Sequence, residues 1–308
     1  MNNNKNNFPL DKNRRKFLSN SLKIAGGAAL VSFPGRLLAD EFSTQSKTYT
    51  VQEIMDIVLK DVPGAPFKQT VDTLKSGRPD QQVTGIITTM FATIDIINLA
   101  IKNKANFIIA HEPSFYNHLD DTKWVTPNEV LKQKQALLEK HQIAIWRFHD
   151  YCHALRPDAV SYGVAKKANW LPYYKTGEVM LKLPPITLQN LVQHLKTSLG
   201  ISRLRMIGDL TQTCERIALL PGAWGGQRQV TTTEEQKPDV LIVGEIHEWE
   251  TGEYIRDARS FGSKTSLIIL GHSVSEEPGM EYMVEWLTAR IPGISIKHIA
   301  SGDPFTFV

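Results

Sequence analysis

Four short stretches of the chain set histidine close to carboxylate, each at the end of an apolar run. Ile108-Ile109-Ala110 runs into His111 and Glu112, and Pro113 holds Glu112 extended. Trp146-Arg147-Phe148 runs into His149 and Asp150, with His153 four residues after His149. Val243-Gly244-Glu245-Ile246 leads to His247 and Glu248, and Leu270-Gly271 leads to His272 and then Glu276. Imidazole with carboxylate suits Zn²⁺, Mn²⁺, Fe²⁺ or Co²⁺.

Taken singly, each residue has an ordinary explanation. A histidine at a strand end is commonly a hydrogen-bonded surface group, and a glutamate in a first helical turn serves the helix dipole. Glu248 and Glu250 fit a solvated face. The recurrence at four strand ends is what points to one shared site. Five or more such ligands suit two ions better than one. Two ions about 3.5–4 Å apart make water acidic enough to act near neutral pH. The chain has no HExxH, CxxC, G-x-G-x-x-G, Walker A or G-x-S-x-G motif. Gly222-Ala223-Trp224-Gly225-Gly226 is a glycine-rich turn, open to two readings: an anion at the next helix N-terminus, or a plain tight turn.

The elements that must position these residues follow from periodicity. Val51–Leu59 has helical spacing, closed by Pro63, Gly64 and Pro66. Strands are expected at Val83–Thr89, Asn106–Ala110 and Ile143–Phe148, with helices at Ile94–Lys102 and from Thr126 to about His141. Thr126, Pro127 and Glu129 read as the capping box of the latter helix. After a less regular stretch the alternation resumes, with strands at Arg216–Leu220, Asp239–Val243, Thr265–Leu270 and Ser295–Ile299. Helices are expected at about 225–236, 250–261 and 276–290. Ser275 would cap the last of these, with Pro278 in its first turn. Runs that are apolar on both faces and alternate with helices indicate an α/β fold of three layers. It should comprise two related lobes with mostly parallel sheets. The stretch from about 158 to 212 reads as an inserted α/β subdomain. Such sheets collect their sites just past the carboxyl ends of the strands.

The first 39 residues differ in kind. Arg14-Arg15-Lys16-Phe17-Leu18, a short apolar run from Leu22 to Val31, and small Ala39 read as a twin-arginine export signal. That implies a periplasmic protein with no stable membrane anchor. Residues 40–50 read as a linker and 51–308 as the functional domain. The 308-residue chain carries a net charge of +3. Seven of its 35 Lys and Arg, and only Asp11 of its 32 acids, fall in residues 1–39. The rest is therefore slightly acidic, which argues against nucleic acid as a partner. Cys152 and Cys214 are the only cysteines, and their spacing alone neither requires nor forbids a disulfide.

The stretches VTGIITTMFATIDIINLAIKNKANFIIAHEPSFY, PDVLIVGEIHEWE, LGHSVSEEPG and SGDPF resemble the Nif-three-like family of dinuclear metal-centre proteins, also known as type 2 GTP cyclohydrolase I. The likeness covers most of residues 50–308. It implies two divalent ions, Zn, Mn or Fe, held by His111, Glu112, His153, His272 and Glu276. Glu112 stands where the family has the second His of a pair, and His153 stands where it has an Asp. The tally of three imidazoles and two carboxylates is thereby kept. The resemblance also implies a homo-oligomer, in this family a hexameric ring. For the reaction, a metal-dependent hydrolase of a small molecule is expected, with His149, Asp150 or Glu248 as base or substrate-orienting group. The alternative is a metal-binding protein without catalysis.

Overall fold

Thr50 accepts a hydrogen bond from Glu53 N at 3.2 Å, and the Glu53 carboxylate accepts one from Thr50 N at 2.7 Å. This capping box starts helix α1 (Val51–Leu59), whose Val51, Ile54 and Val58 are buried. A computed structural model describes residues 47–306; the expected export signal and residues 40–46 of the linker lie outside them. Residues 47–50 do not behave as a linker. Tyr49 is buried and its carbonyl accepts from Val83 N.

The chain then runs β1 (Leu74–Ser76), β2 (Ile86–Thr89), α2 (Ile94–Lys102), β3 (Phe107–Ala110), α3 (Glu129–Lys140), β4 (Ala144–Arg147), α4 (Asp150–Ala154) and α5 (Ala159–Lys167). It continues through β5 (Met180–Thr187), α6 (Leu188–Leu199), β6 (Arg205–Ile207), β7 (Thr213–Leu220), α7 (Gly226–Gln236) and β8 (Val240–Val243). It ends with α8 (Glu253–Ser260), β9 (Ser266–Ile269), α9 (His272–Thr288) and β10 (Ile296–His298).

Two five-stranded sheets result, in the orders β1-β4-β3-β2-β10 and β5-β7-β8-β9-β6. Within each, the central strands are parallel and buried on both faces, as their unbroken apolar runs required. In the first sheet, Phe107 and Ile109 of β3 face α1 and α9, while Ile108 and Ala110 face α2 and α3. In the second, Ile217 of β7 and Ile242 of β8 pack on α5 and α6, and Leu220 and Val243 pack on α8. The fold is the three-layer α/β arrangement in two lobes.

The stretch 158–212, expected as an inserted subdomain, does not stand apart. β5 and β6 pair antiparallel with β7 and β9 and form the two edges of the second sheet. Their irregular pattern is that of half-exposed edge strands. The start of α3 also differs. Asn128, not Thr126, is the N-cap, and its side chain accepts from Leu131 N at 3.1 Å.

Candidate metal centre

The residues that follow β3, β4 and β9 meet at one place. His111 and Glu112 are the first two residues past β3. Their backbone N–H groups still donate to Thr89 O and Met90 O, so both side chains leave a fixed frame. Past β4, Asp72 accepts from His149 N at 2.8 Å and from Tyr151 N at 2.7 Å, which starts the short helix α4. His149 and His153 lie one turn apart on it and so share a face.

The second lobe contributes α9. This helix begins at His272, one turn earlier than the expected cap at Ser275, because Gly271 adopts φ 99° and turns the chain at once. Pro278 therefore lies inside the helix rather than in its first turn. His272 and Glu276 become an i, i+4 pair. Ser275 donates to His272 O and accepts from Gly222 N, tying α9 to the loop after β7. Farther along, α9 crosses α5 at close range. A Cβ on Gly163 would lie 2.4 Å from Pro278 O, and one on Gly279 would lie 2.7 Å from Val160 Cα.

Each of the four histidines spends its Nδ1 on a fixed acceptor. His111 Nδ1 donates to Phe148 O at 3.1 Å, and His149 Nδ1 meets Asp150 at 2.9 Å. His153 Nδ1 meets Asp158 at 3.0 Å, and His272 Nδ1 meets Glu245 at 3.1 Å. This leaves Nε2 for the centre. His272 Nε2 lies 3.0 Å from Glu276 and 3.4 Å from Glu112. His111 Nε2 lies 3.5 Å from Glu276, and His149 Nε2 lies 3.7 Å from Glu112. The rings of His111, His149 and His153 are 4.8–5.1 Å apart. An imidazole with Nδ1–H anchored on a carboxylate or carbonyl and Nε2 free is the form in which proteins present histidine to a metal.

Two groups of three could each hold an ion: His111, His149 and His153, and His111, Glu112 and Glu276. Within each, the donor atoms lie within 4.8 Å of one another. His111 supplies the test of fit. Its side chain is fully buried and its Nδ1 must donate to a carbonyl, so the neutral ring points a lone pair inward from Nε2. That atom has no hydrogen-bond partner. Burial, reinforced by the charges of His153 and His149, holds its pKa well below the usual histidine value. A buried lone pair beside two carboxylates calls for a cation.

Elsewhere in the cluster positive charge is welcome. Burial opposes protonation of His272, but hydrogen bonds to Glu112, Glu245 and Glu276 outweigh it and push the pKa up to about 12. Glu112 moves the other way. Burial would raise its pKa, yet the bond to His272 and the charges of His272, His149 and Arg147 bring it below the ordinary range. Arg147 Nη2 lies 3.3 Å from Glu112 Oε2 and fixes that carboxylate from behind. A divalent ion would replace the charge now supplied by protons.

Of the five expected ligands, His111, Glu112, His272 and Glu276 meet directly, and His153 joins through His111 and His149. His149, expected as a catalytic group, sits among the ligand candidates. Asp150 is not free to act as a base: its oxygens accept from His149, from Thr70 Oγ1 at 2.8 Å and from Val71 N at 3.1 Å. It orients His149. Glu248 stands apart, 73% exposed and paired with Arg205. Glu245 takes the place at the centre that Glu248 was expected to hold. The signal for it was positional, since Glu245 lies two residues past β8, as Glu112 lies two past β3. Asp158 was also missed; besides holding His153 it caps α5 through Val160 N and Ser161 N.

The glycine-rich turn has its own anion. Glu250 accepts from Gly226 N at 3.1 Å at the start of α7, so that helix end is already occupied by the chain itself. Cys152 and Cys214 are both free and buried, and burial pushes the Cys152 thiol well up, keeping it neutral.

The model of one family, Duf34/NIF3 (NGG1p interacting factor 3), matches residues 49–304. A Clostridium perfringens protein called a GTP cyclohydrolase 1 type 2 homolog is 23% identical over 271 residues, covering 82% of this chain and 97% of its own length. A Buchnera aphidicola protein of the same designation is 26% identical, covering 74% and 87%. Among solved structures, a Staphylococcus aureus protein superposes with a TM-score of 0.66 at 21% identity, covering 84% of this chain and 99% of its own. A Bacillus cereus protein related to NIF3 gives 0.66 at 15% identity, covering 85% and 100%.

Proposed function

The chain belongs to the Duf34/NIF3 family, and on that premise we propose that it holds two divalent metal ions and uses them to hydrolyse a small molecule. One observation supports the metals above all: four imidazoles with Nδ1 anchored surround Glu112 and Glu276, and one of them, His111, has a buried and unanswered Nε2. His111, His149 and His153 would hold one ion. Glu112, Glu276 and His272 would hold the other, with His111 close enough to reach either.

Zn²⁺, Mn²⁺ or Fe²⁺ bound there would supply Lewis acidity and lower the pKa of water toward neutrality. The chain's own residues do the rest. Arg147 and Glu245 fix the orientation of Glu112 and His272, and Asp150 and Asp158 fix His149 and His153. Export by the N-terminal twin-arginine signal would place this activity in the periplasm, where cytosolic GTP is scarce. The relatives' name is therefore a weak guide to substrate. Assembly into a homo-oligomer is part of the same proposal.

A second reading, metal binding without catalysis, follows if every coordination position is filled by the chain. Cobalt substitution separates the two. Added azide that changes the visible spectrum of the Co²⁺ protein marks an open position and supports hydrolysis. A spectrum indifferent to azide favours the non-catalytic reading.

A further inference from the structure

Beside Glu112 lies an open cleft of about 740 Å³. Phe91, Ile94, Pro113, Tyr116 and Pro304 give it apolar walls. Two of its lining residues carry buried polar groups for which the metal centre has no use. Lys134, on α3, is 4% exposed, and its Nζ donates to Ser114 O at 2.7 Å. That bond spends one of three N–H donors. Its Nζ also lies 5.7 Å from the centroid of the Phe115 ring and 5.5 Å from that of Tyr116. Among the described residues no carboxylate pairs with this ammonium. Asp120, the acid whose charge acts on it, pairs with Lys75 at 3.3 Å and with Arg147 at 3.7 Å. Ser114 is 2% exposed, and its Oγ has no hydrogen-bond partner. A buried cation with no paired carboxylate and a buried hydroxyl with no hydrogen-bond partner are unfavourable unless a ligand answers them.

We propose that this cleft binds a small organic monoanion, its carboxylate seated on Lys134 Nζ and Ser114 Oγ, its apolar body between Phe91 and Tyr116 and its far end at Glu112. The proposal rests on the metal-centre reading for one point only, that the ligand so placed is the substrate. The anion subsite itself stands on Lys134 and Ser114. The lining offers one ammonium, Lys134, beside the His118 imidazole and the carboxylates of Asp95, Glu112 and Asp303, which suits a ligand with a single negative charge at that end. Away from the metal centre, Asp95 and Asp303 repel a second anionic group. A carboxylic acid with a flat or branched apolar body is favoured.

The test is calorimetric titration of the full chain with benzoate and, separately, with inorganic phosphate, both as purified and after metal removal with EDTA. Benzoate is expected to bind saturably in both states. It should bind about tenfold more weakly to Lys134→Met and to Ser114→Ala, the loss typical of a hydrogen bond to a charged group. Ser114→Ala removes an unanswered buried hydroxyl, so its fold should be no less stable than the wild type, which keeps the result readable if Lys134→Met fails to fold. Equal benzoate affinity in wild type and Ser114→Ala would overturn the subsite. Phosphate binding as tightly as benzoate would overturn the monoanion assignment. Benzoate binding by a chain that holds no metal as purified and takes up none on reconstitution would leave the subsite standing and sink the metal reading alone.

Discussion

Gly222 lies directly against Glu276: a Cβ on Gly222 would come within 1.9 Å of Glu276 Oε1 and 2.6 Å of its carboxyl carbon. The loop after β7 is thus the wall that holds a candidate ligand of α9 in place, and its φ of 77° already favours glycine. Gly222→Ala is expected to displace the Glu276 carboxylate and abolish the ion that it holds, with an added destabilisation of about 1 kcal/mol or more from the left-handed backbone. Metal content and urea unfolding on the same preparation check both parts. Full metal content in Gly222→Ala would mean that Glu276 is not a ligand.

Glu245 and Glu248 make a matched pair. Glu245→Gln replaces the charged anchor of His272 Nδ1 with a neutral amide and should weaken metal affinity about 10-fold or more, the usual effect of weakening such a partner. Glu248→Gln changes only a surface pair with Arg205 and should leave affinity within about twofold. Competition with a chromophoric chelator measures both. The opposite ranking would restore Glu248 to the site and remove Glu245 from it.

The contrast between those two residues shows how far the sequence could be read. The central strands were legible because parallel strands buried on both faces leave unbroken apolar runs, and Phe107–Ala110 and Val240–Val243 are such runs. The ligand candidates were legible because they follow those runs at once. What escaped were features set by tertiary contacts. β1 is a three-residue edge strand and α4 a five-residue helix, each too short for a periodic signal. α9 starts a turn early because of a positive-φ glycine at Gly271, which outweighs the local cues of Ser275 and Pro278. Asp158 and Asp150 looked like ordinary loop acids, and only the fold brings their oxygens to His153 and His149.

Metal removal should be felt by the whole fold, because Glu112, Glu276 and His111 are buried together and a cation answers all three. Zn²⁺ at a hundredfold excess over its dissociation constant is expected to stabilise the chain by about 2.7 kcal/mol per site. For a protein of this size that is a rise in melting temperature of about 4–5 °C per site. Scanning calorimetry with and without EDTA decides it. A melting temperature unmoved by EDTA and by added metal would show that the folded chain binds none.

Lys134 predicts a pH dependence separate from the centre. Burial lowers its pKa from 10.5 to about 8, against the weaker opposing pull of Asp120. Between those values the unfolded chain holds the proton and the folded chain does not. This residue's contribution to stability therefore rises with pH from about 8 to about 10.5. The stability of the wild type relative to Lys134→Met should then increase across that window and stay flat from pH 6 to 7.5. Urea unfolding of both proteins at pH 7 and pH 10.5 gives the difference. A difference that is the same at both pH values would mean that the ammonium is solvated rather than buried.

The central claim is that the four anchored histidines and two carboxylates hold two ions, and elemental analysis of untagged protein tests it most directly, with His111→Ala and His272→Ala beside the wild type. Two equivalents of Zn, Mn or Fe per wild-type chain are expected. His111→Ala, which loses the buried Nε2 that faces both candidate groups, should be reduced to one equivalent or none, and His272→Ala should lose at least one. A wild-type chain that takes up no metal after reconstitution with all three, or a His111→Ala chain that still holds two equivalents, would contradict the account.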